Sequence, residues 1–179
     1  MMNVILDSNE VTKTLRRLAH EVVENYVDLN NLVIIGIVTR GEYLAKRLKS
    51  IIYQIENVDV PCGYLDVTLY RDDLDHRKSM KQSKSSIIPS INSKNVLLVD
   101  DVLYEGRTIR AALDAIKDFG RPESVKLLVL IDRGLRKLPI SADFVGKTIN
   151  TTPKQIVKVN ILETDNKDSI EIQEVEIKV

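Results

Sequence analysis

The chain has 179 residues, in which 26 Lys and Arg balance 26 Asp and Glu, with 44% hydrophobic and 29% charged residues. That length suits one domain, and the mixture excludes a largely disordered chain, a collagen-like repeat and a disulfide-stapled miniprotein. Cys62 is the single cysteine, so no internal disulfide forms, and a reducing compartment is expected. The longest apolar runs fall far short of the roughly 20 residues of a spanning helix. Acids (Asp7, Glu10) precede any base, so no signal peptide is visible. The expectation is a cytoplasmic protein without a membrane partner.

In chain order, Asp7 or Ser8 caps a predicted helix whose Val11, Leu15, Leu18, Val22 and Tyr26 recur at spacings of three and four. Leu32 to Val38 is a continuous apolar run, the mark of a strand buried on both faces. Thr39-Arg40-Gly41 turns into a second helical pattern at Leu44, Leu48, Ile51 and Ile55, and Tyr64 to Tyr70 reads as a strand. From Arg71 to about residue 94 the chain is polar and basic without periodicity, which predicts a long functional loop. Val96 to Val99 is a buried strand, then a helix runs through Ala111, Leu113 and Ile116 until Gly120-Arg121-Pro122 stops it. Strand patterns follow at Val125 to Ile131, Phe144 to Ile149, Ile156 to Leu162 and Ile170 to Ile177. Alternation of strands and helices argues for an α/β fold with a parallel sheet flanked by helices.

Charge is unevenly spread. From Asn160 onward six acids (Glu163, Asp165, Asp168, Glu171, Glu174, Glu176) face two lysines, which leaves a mild basic surplus in the rest. This surplus is too small to announce nucleic-acid binding.

The stretch Val96-Leu97-Leu98-Val99-Asp100-Asp101-Val102-Leu103-Tyr104-Glu105-Gly106-Arg107-Thr108 carries chemistry. A buried strand is expected to end in two carboxylates, followed by a glycine turn that opens a helix. Carboxylates at the carboxyl edge of a parallel strand sit where ligands bind in open sheets, and they can accept from vicinal hydroxyls. The N–H groups from about Glu105 to Thr108, with the helix dipole behind them, make a phosphate site. A diol acceptor beside a phosphate cradle describes a phosphorylated ribose.

This segment resembles the phosphoribosyl-pyrophosphate (PRPP) signature of type I phosphoribosyltransferases. Further words resemble the PyrR-type branch of pyrimidine-operon regulators with uracil phosphoribosyltransferase activity: Arg17-Leu18-Ala19-His20-Glu21, Asp66 to Leu74, Asp100 to Tyr104, Asp132-Arg133-Gly134 and Ala142 to Lys147. The resemblance implies a single phosphoribosyltransferase domain over 1–179, with a mobile loop at about 71–94 and a small hood mainly from about 132–179. It implies that Thr39, Arg40 and Gly41 hold pyrophosphate and that Asp100 and Asp101 hold the ribose. Val102, Leu103, Tyr104, Glu105, Gly106, Arg107 and Thr108 complete the nucleotide cradle, Arg71 closes over it, and Arg133, Ile156 and Val157 meet the base. Mg²⁺ is implied with PRPP rather than in a site of its own, and no zinc spacing joins His20, Cys62 and His76.

The implied reaction converts uracil and PRPP to UMP and pyrophosphate. Tyr104 stands where purine-specific relatives carry an acid, which favours a pyrimidine. The resemblance also implies UMP-dependent binding of a pyrimidine leader mRNA by a face containing Arg16, Arg17, His20, Arg136 and Lys147, and a homo-oligomer of two or more copies. Changing Arg136 and Lys147 is expected to weaken RNA binding and spare catalysis. The alternatives are an RNA-binding regulator with weak or no catalysis and a purine phosphoribosyltransferase. Three positions depart from the family pattern: Glu105 replaces the usual Thr, Ser141 stands where an Arg is usual, and Arg16 replaces a Thr. A carboxylate aimed into the cradle would repel the 5′-phosphate by about 1 kcal/mol or more. Aimed outward, it leaves only its backbone N–H at the site.

Overall fold

The structure, a computed structural model, describes residues 2–71 and 86–174. Most of the loop expected at about 71–94, and the end of the strand pattern expected to reach Ile177, lie outside the described residues.

Strand β1 (Met2–Leu6) leads into helix α1 (Ser8–Asn25). Asp7 is the cap: it accepts from Glu10 N–H at 2.9 Å, and Glu10 accepts from Asp7 N–H at 2.9 Å, a closed capping box. Val11, Leu15, Leu18, Ala19 and Val22 form the buried stripe of α1. Strand β2 (Leu32–Ile37), buried at every position, is followed by helix α2 (Arg40–Glu56) and strand β3 (Cys62–Leu65). Strand β4 (Asn95–Leu103), helix α3 (Arg107–Ile116), strand β5 (Ser124–Asp132) and strand β6 (Phe144–Thr148) come next. Strand β7 (Gln155–Asn160), the short helix α4 (Leu162–Asp165) and strand β8 (Ser169–Glu174) close the described chain.

The main sheet is parallel, in the order β3-β2-β4-β5-β6. The chain lays β3 on one side of β2 and then returns to lay β4 on the other. Helices α2 and α3 consequently leave the adjacent strands β2 and β4 toward opposite faces. Leu44, Leu48 and Ile52 of α2 join the α1-side core, whereas Ile109, Ala112 and Ile116 of α3 join the other. The loops that follow β2 and β4 meet at that switch point, the usual ligand position in such sheets.

A second, antiparallel sheet in the order β1-β8-β7 forms the hood. Two of its strands come from the C-terminal segment. The third is β1, which the sequence pattern left unassigned, and β6 joins the main sheet instead. Two further differences are local. The expected strand through Tyr70 stops at Leu65, because Asp66 Oδ1 accepts from Thr68 N–H at 2.8 Å and bends the chain into a 3₁₀ turn over Thr68–Tyr70. Asp100 and Asp101 do not end their strand. Pairing with β5 continues through Val102↔Ile131 and Leu103↔Asp132, which extends β4 to Leu103.

Candidate functional site

Two loops build the crevice. The first is Thr39-Arg40-Gly41, which enters α2 across a cis Val38–Thr39 peptide. It lies directly on the sheet: a Cβ on Gly41 would stand 2.4 Å from Val99 O, and one on Gly36 would stand 2.3 Å from Gly41 O. Only glycine allows backbone to approach backbone this closely. Gly36 was not singled out in the sequence, although an isolated glycine inside a strand pattern is the available signal for such an approach.

The second loop follows β4. Gly106 occupies the N-cap of α3 with φ +94°, a conformation that favours glycine, and no side chain caps the helix. The first-turn N–H groups have no intrahelical partner by geometry and face outward with the positive end of the helix dipole. Arg71, Val102 to Thr108 and Ile109 line a cavity of about 280 Å³ there. Arg71 Nη1 lies 3.3 Å from Thr108 Oγ1 across its mouth. Arg71 and residues 102–108 are thus brought together around one cavity.

Asp100 and Asp101 stand between the loops. Asp100 is buried. Its Oδ1 accepts from Asp101 N–H at 2.9 Å, and Asp101 Oδ1 accepts from Val102 N–H at 2.8 Å. Burial, and then the neighbouring Asp101 charge, push the Asp100 carboxyl well above the usual range, while burial raises Asp101. Arg71 works against the shift at Asp100 and Arg40 against that at Asp101, so two cations flank the pair, one from the first loop and one from just after the 3₁₀ turn. The remaining carboxylate capacity can accept hydroxyl donors from a diol.

Glu105 turns away from the cradle. Its carboxylate meets Arg107 Nε at 3.0 Å and Lys137 Nζ at 2.8 Å, and its carbonyl accepts from Lys137 and Leu138 N–H groups. Those cations hold its carboxyl below the usual range. The Glu105 carboxylate is therefore already neutralised by two cations. Replacing Glu105 by Thr removes a carboxylate and releases Lys137 from its pair beside the cavity. The Michaelis constant for PRPP should fall severalfold at low salt, and the gain should shrink as salt screens it. An unchanged or higher constant at low salt would mean that the two ion pairs shape the loop more than they charge it.

Near the hood, Arg133 is buried, and its guanidinium stacks 4.0 Å from the Tyr104 ring centre. It also donates to Thr151 Oγ1 at 3.1 Å, Gln155 O at 2.7 Å and Thr152 O at 3.4 Å. Arg133 thus ties the segment ahead of β7 to the nucleotide loop. Strand β7 is an edge strand of the hood sheet. Ile156 is half exposed on it, whereas Val157 turns into the α1-side core, which leaves its backbone rather than its side chain to meet a base.

The basic set implied for RNA is divided. Arg16, Arg17, His20 and Lys147 are exposed on α1 and β6. Arg17 bridges the two elements by donating to Gly146 O and Val145 O and pairing with Glu21. Arg136 does not stand free on that face. Its Nε donates to Ile140 O at 2.9 Å, and Nη1 donates to Tyr104 O at 2.8 Å, Gly134 O at 3.3 Å and Leu103 O at 3.4 Å. Nη2 pairs with Asp132. Arg136, expected on the RNA-binding face, thus packs beneath the loop that follows β4, with its guanidinium on that loop's backbone. Sequence patterns carry no signal for such a role, because it joins carbonyls from three segments.

A family model described as the phosphoribosyl transferase domain matches residues 2–164. The bifunctional protein PyrR of Microcystis aeruginosa is 50% identical over 168 residues, covering 94% of this chain and 95% of that protein. That of Brevibacillus brevis is also 50% identical, covering 96% of this chain and 97% of the relative. Among solved structures, a hypoxanthine phosphoribosyltransferase from Staphylococcus aureus superposes with TM-score 0.70 at 20% identity, covering 98% of this chain and 93% of that one. The Trypanosoma cruzi hypoxanthine phosphoribosyltransferase gives TM-score 0.70 at 20% identity, with 97% of both chains covered. The last two establish the type of fold, and the first two the branch. With the carboxylate pair and the glycine-opened cradle in place, the chain belongs to the phosphoribosyltransferase family, among the bifunctional PyrR proteins.

Proposed function

We propose that the protein transfers the phosphoribosyl group of PRPP to uracil, giving UMP and pyrophosphate, and binds a pyrimidine leader RNA when UMP is present. The observation that carries the transfer reading is the Asp100–Asp101 pair at the sheet switch point, between two loops that each open a helix. The ribose diol donates to the two carboxylates, the 5′-phosphate takes the N–H groups ahead of α3, and pyrophosphate takes those of Thr39, Arg40 and Gly41. Uracil N1 forms the new bond to C1′ as the bond from C1′ to the pyrophosphate oxygen breaks. Pyrophosphate leaves with the electron pair, and N1 gives up its proton. Positive charge develops on the ribose ring, so the main work is positioning and charge stabilisation.

Among the described residues no group of three or more His, Cys, Asp and Glu could hold a metal ion. A carboxylate pair beside a phosphate cradle fits Mg²⁺ arriving with PRPP, since that ion prefers phosphate oxygens and water to an all-protein cage. Asp100 and Asp101 would add to its oxygen shell. When bound, the ion would neutralise charge on the leaving pyrophosphate. Tyr104, held flat by Arg133, supports a pyrimidine: with a reference pKa of about 10, it is a poor proton acceptor for a purine ring nitrogen. Assays with PRPP and Mg²⁺ should give UMP from uracil and no nucleotide from hypoxanthine or guanine. Turnover of hypoxanthine or guanine alone would replace this reading with a purine phosphoribosyltransferase.

The RNA reading is supported by the kinship with bifunctional PyrR proteins and by the exposed Arg16, His20 and Lys147 on one face. Binding there would be largely to phosphate groups. Changing Arg16 and Lys147 together to Ala should weaken leader-RNA binding and lower its salt slope by about one for every phosphate no longer neutralised. Uracil transfer should be unchanged, because both residues lie on the α1–β6 face, outside the nucleotide crevice. No retention of leader RNA by the wild-type protein with UMP present would reduce the chain to an enzyme. A reducing cytoplasm suits the free Cys62, and among the described residues no helix is long and apolar enough to cross a membrane.

A further inference from the structure

The hood and helix α2 are sewn together by ion pairs that the transfer reading does not use. Arg47 donates from Nε to Glu163 at 2.8 Å, and from Nη1 and Nη2 to Asp168 at 3.0 and 2.9 Å. Two turns earlier on the same helix, Arg40 makes a side-on pair with Asp165: Nε donates to Oδ2 at 3.2 Å and Nη2 to Oδ1 at 3.0 Å. Asp165 is itself fixed from behind, accepting from Ile161 N–H at 3.0 Å and from the Thr164 hydroxyl at 2.7 Å. A carboxylate held by two local donors and filled by a fork of two more is a rigid support.

Arg40 opens α2 at the loop assigned to pyrophosphate, and its guanidinium is only partly exposed. Side-on pairing uses the Nε and Nη2 edge. Nη1 makes no hydrogen bond among the described residues, which leaves it available to a further acceptor. Arg40 also stands close enough to Asp101 to favour that carboxylate's ionised form. One arginine, at the start of the helix that follows the loop, is thus supported by the hood.

We propose that Asp165 is the positioning residue of the pyrophosphate loop, holding Arg40 through its Nε and Nη2 edge so that Nη1 is presented to the pyrophosphate of PRPP. The inference rests on the reading of Thr39, Arg40 and Gly41 as that loop. Its chemical logic is pre-organisation: an arginine already fixed on one edge loses less side-chain freedom when a ligand oxygen arrives at the other. The hood thereby takes part in anion binding without touching the anion.

A double-mutant cycle on the full-length protein tests this, with Arg40→Ala, Asp165→Asn and the pair together. The readouts are the Michaelis constants for PRPP and uracil, kcat, and product inhibition by inorganic pyrophosphate with Mg²⁺. Arg40→Ala should raise the PRPP constant and the pyrophosphate inhibition constant by about tenfold or more, the value of one charge-assisted hydrogen bond. Asp165→Asn should raise the same two constants severalfold and leave kcat and the uracil constant near wild type. In the Arg40→Ala background, Asp165→Asn should add nothing. Arg47→Ala serves as the structural control, since it opens the other half of the seam without touching Arg40.

The outcomes separate cleanly. If Arg40→Ala leaves both constants unchanged, the pyrophosphate assignment itself fails. If Arg40→Ala raises them but Asp165→Asn does not, the assignment stands and the positioning role is overturned. A tighter hold on pyrophosphate in Asp165→Asn would make Asp165 a competitor for Arg40 and overturn it too. An equal penalty from Asp165→Asn in both backgrounds, or an equal penalty from Arg47→Ala, would show general loosening of the hood and overturn the role, and the urea midpoints of the same variants would register that loosening.

Discussion

Replacing Asp100 and Asp101 together by Asn should lower kcat/KM by roughly 10²- to 10⁴-fold, since two charge-assisted hydrogen bonds to the ribose are each worth about 1.5–3 kcal/mol. The fold should survive and become more stable at neutral pH. Burial raises both carboxyls above their ordinary range. The unfolded chain therefore ionises them at lower pH than the native protein does. Their stabilising contribution is complete below the unfolded carboxylate range and is lost as pH rises through the raised native values. Asparagine carries no such penalty, so Tm should rise by about 2–4 °C for each kcal/mol relieved, and its fall with rising pH should flatten. In the wild-type protein PRPP affinity should move the opposite way, strengthening as pH rises and the pair ionises to accept the diol. Calorimetry at several pH values beside the transfer assay checks both arms. A folded double variant with unchanged kcat/KM would remove the ribose assignment.

The second large effect concerns Arg136. Arg136→Ala should cost more than tenfold in kcat/KM, because the lost guanidinium is what fixes the carbonyls of Leu103 and Tyr104 at the base of the phosphate loop. Stability should fall by about 1–3 kcal/mol, as Asp132 and the Ile140 and Tyr104 carbonyls lose their partner at a half-buried site. Water reaches part of the site and limits the loss. Arg136→Lys should not restore activity, since one ammonium cannot span donors that diverge toward Ile140, Tyr104 and Asp132. Leader-RNA binding at saturating UMP should fall less than catalysis. Full transfer activity in a folded Arg136→Ala protein would show that the loop holds its shape without the staple.

The residues near one another in the chain were readable directly. Asp7 with Glu10 marks a helix start, and Val11, Leu15, Leu18 and Val22 mark its buried stripe, because capping and periodicity are local physics. The run Leu32 to Val38 and the thirteen residues from Val96 to Thr108 likewise announced buried strands and a glycine-opened helix start, since strand, turn and N-terminus are contiguous there. Sequence also identified Tyr104 as the residue informative about the base and Glu105 as a departure from the family pattern.

What it could not decide was direction. Whether Glu105 faces the phosphate depends on Lys137, far along the chain, and the answer is an ion pair at 2.8 Å. Where the Arg136 guanidinium points was not readable, because its acceptors come from β4, β5 and the segments that follow them, which meet only when the sheet is assembled. The extent of β4 past its two aspartates was set by pairing with β5, and the end of β3 by the Asp66 turn. The first strand escaped notice because so short a segment carries little pattern, and its place beside β8 joins the two ends of the described chain. The Arg40–Asp165 pair, 125 positions apart, belongs to the same class. Local chemistry names the functional groups; long-range packing, which no short window of residues encodes, determines where each charge points.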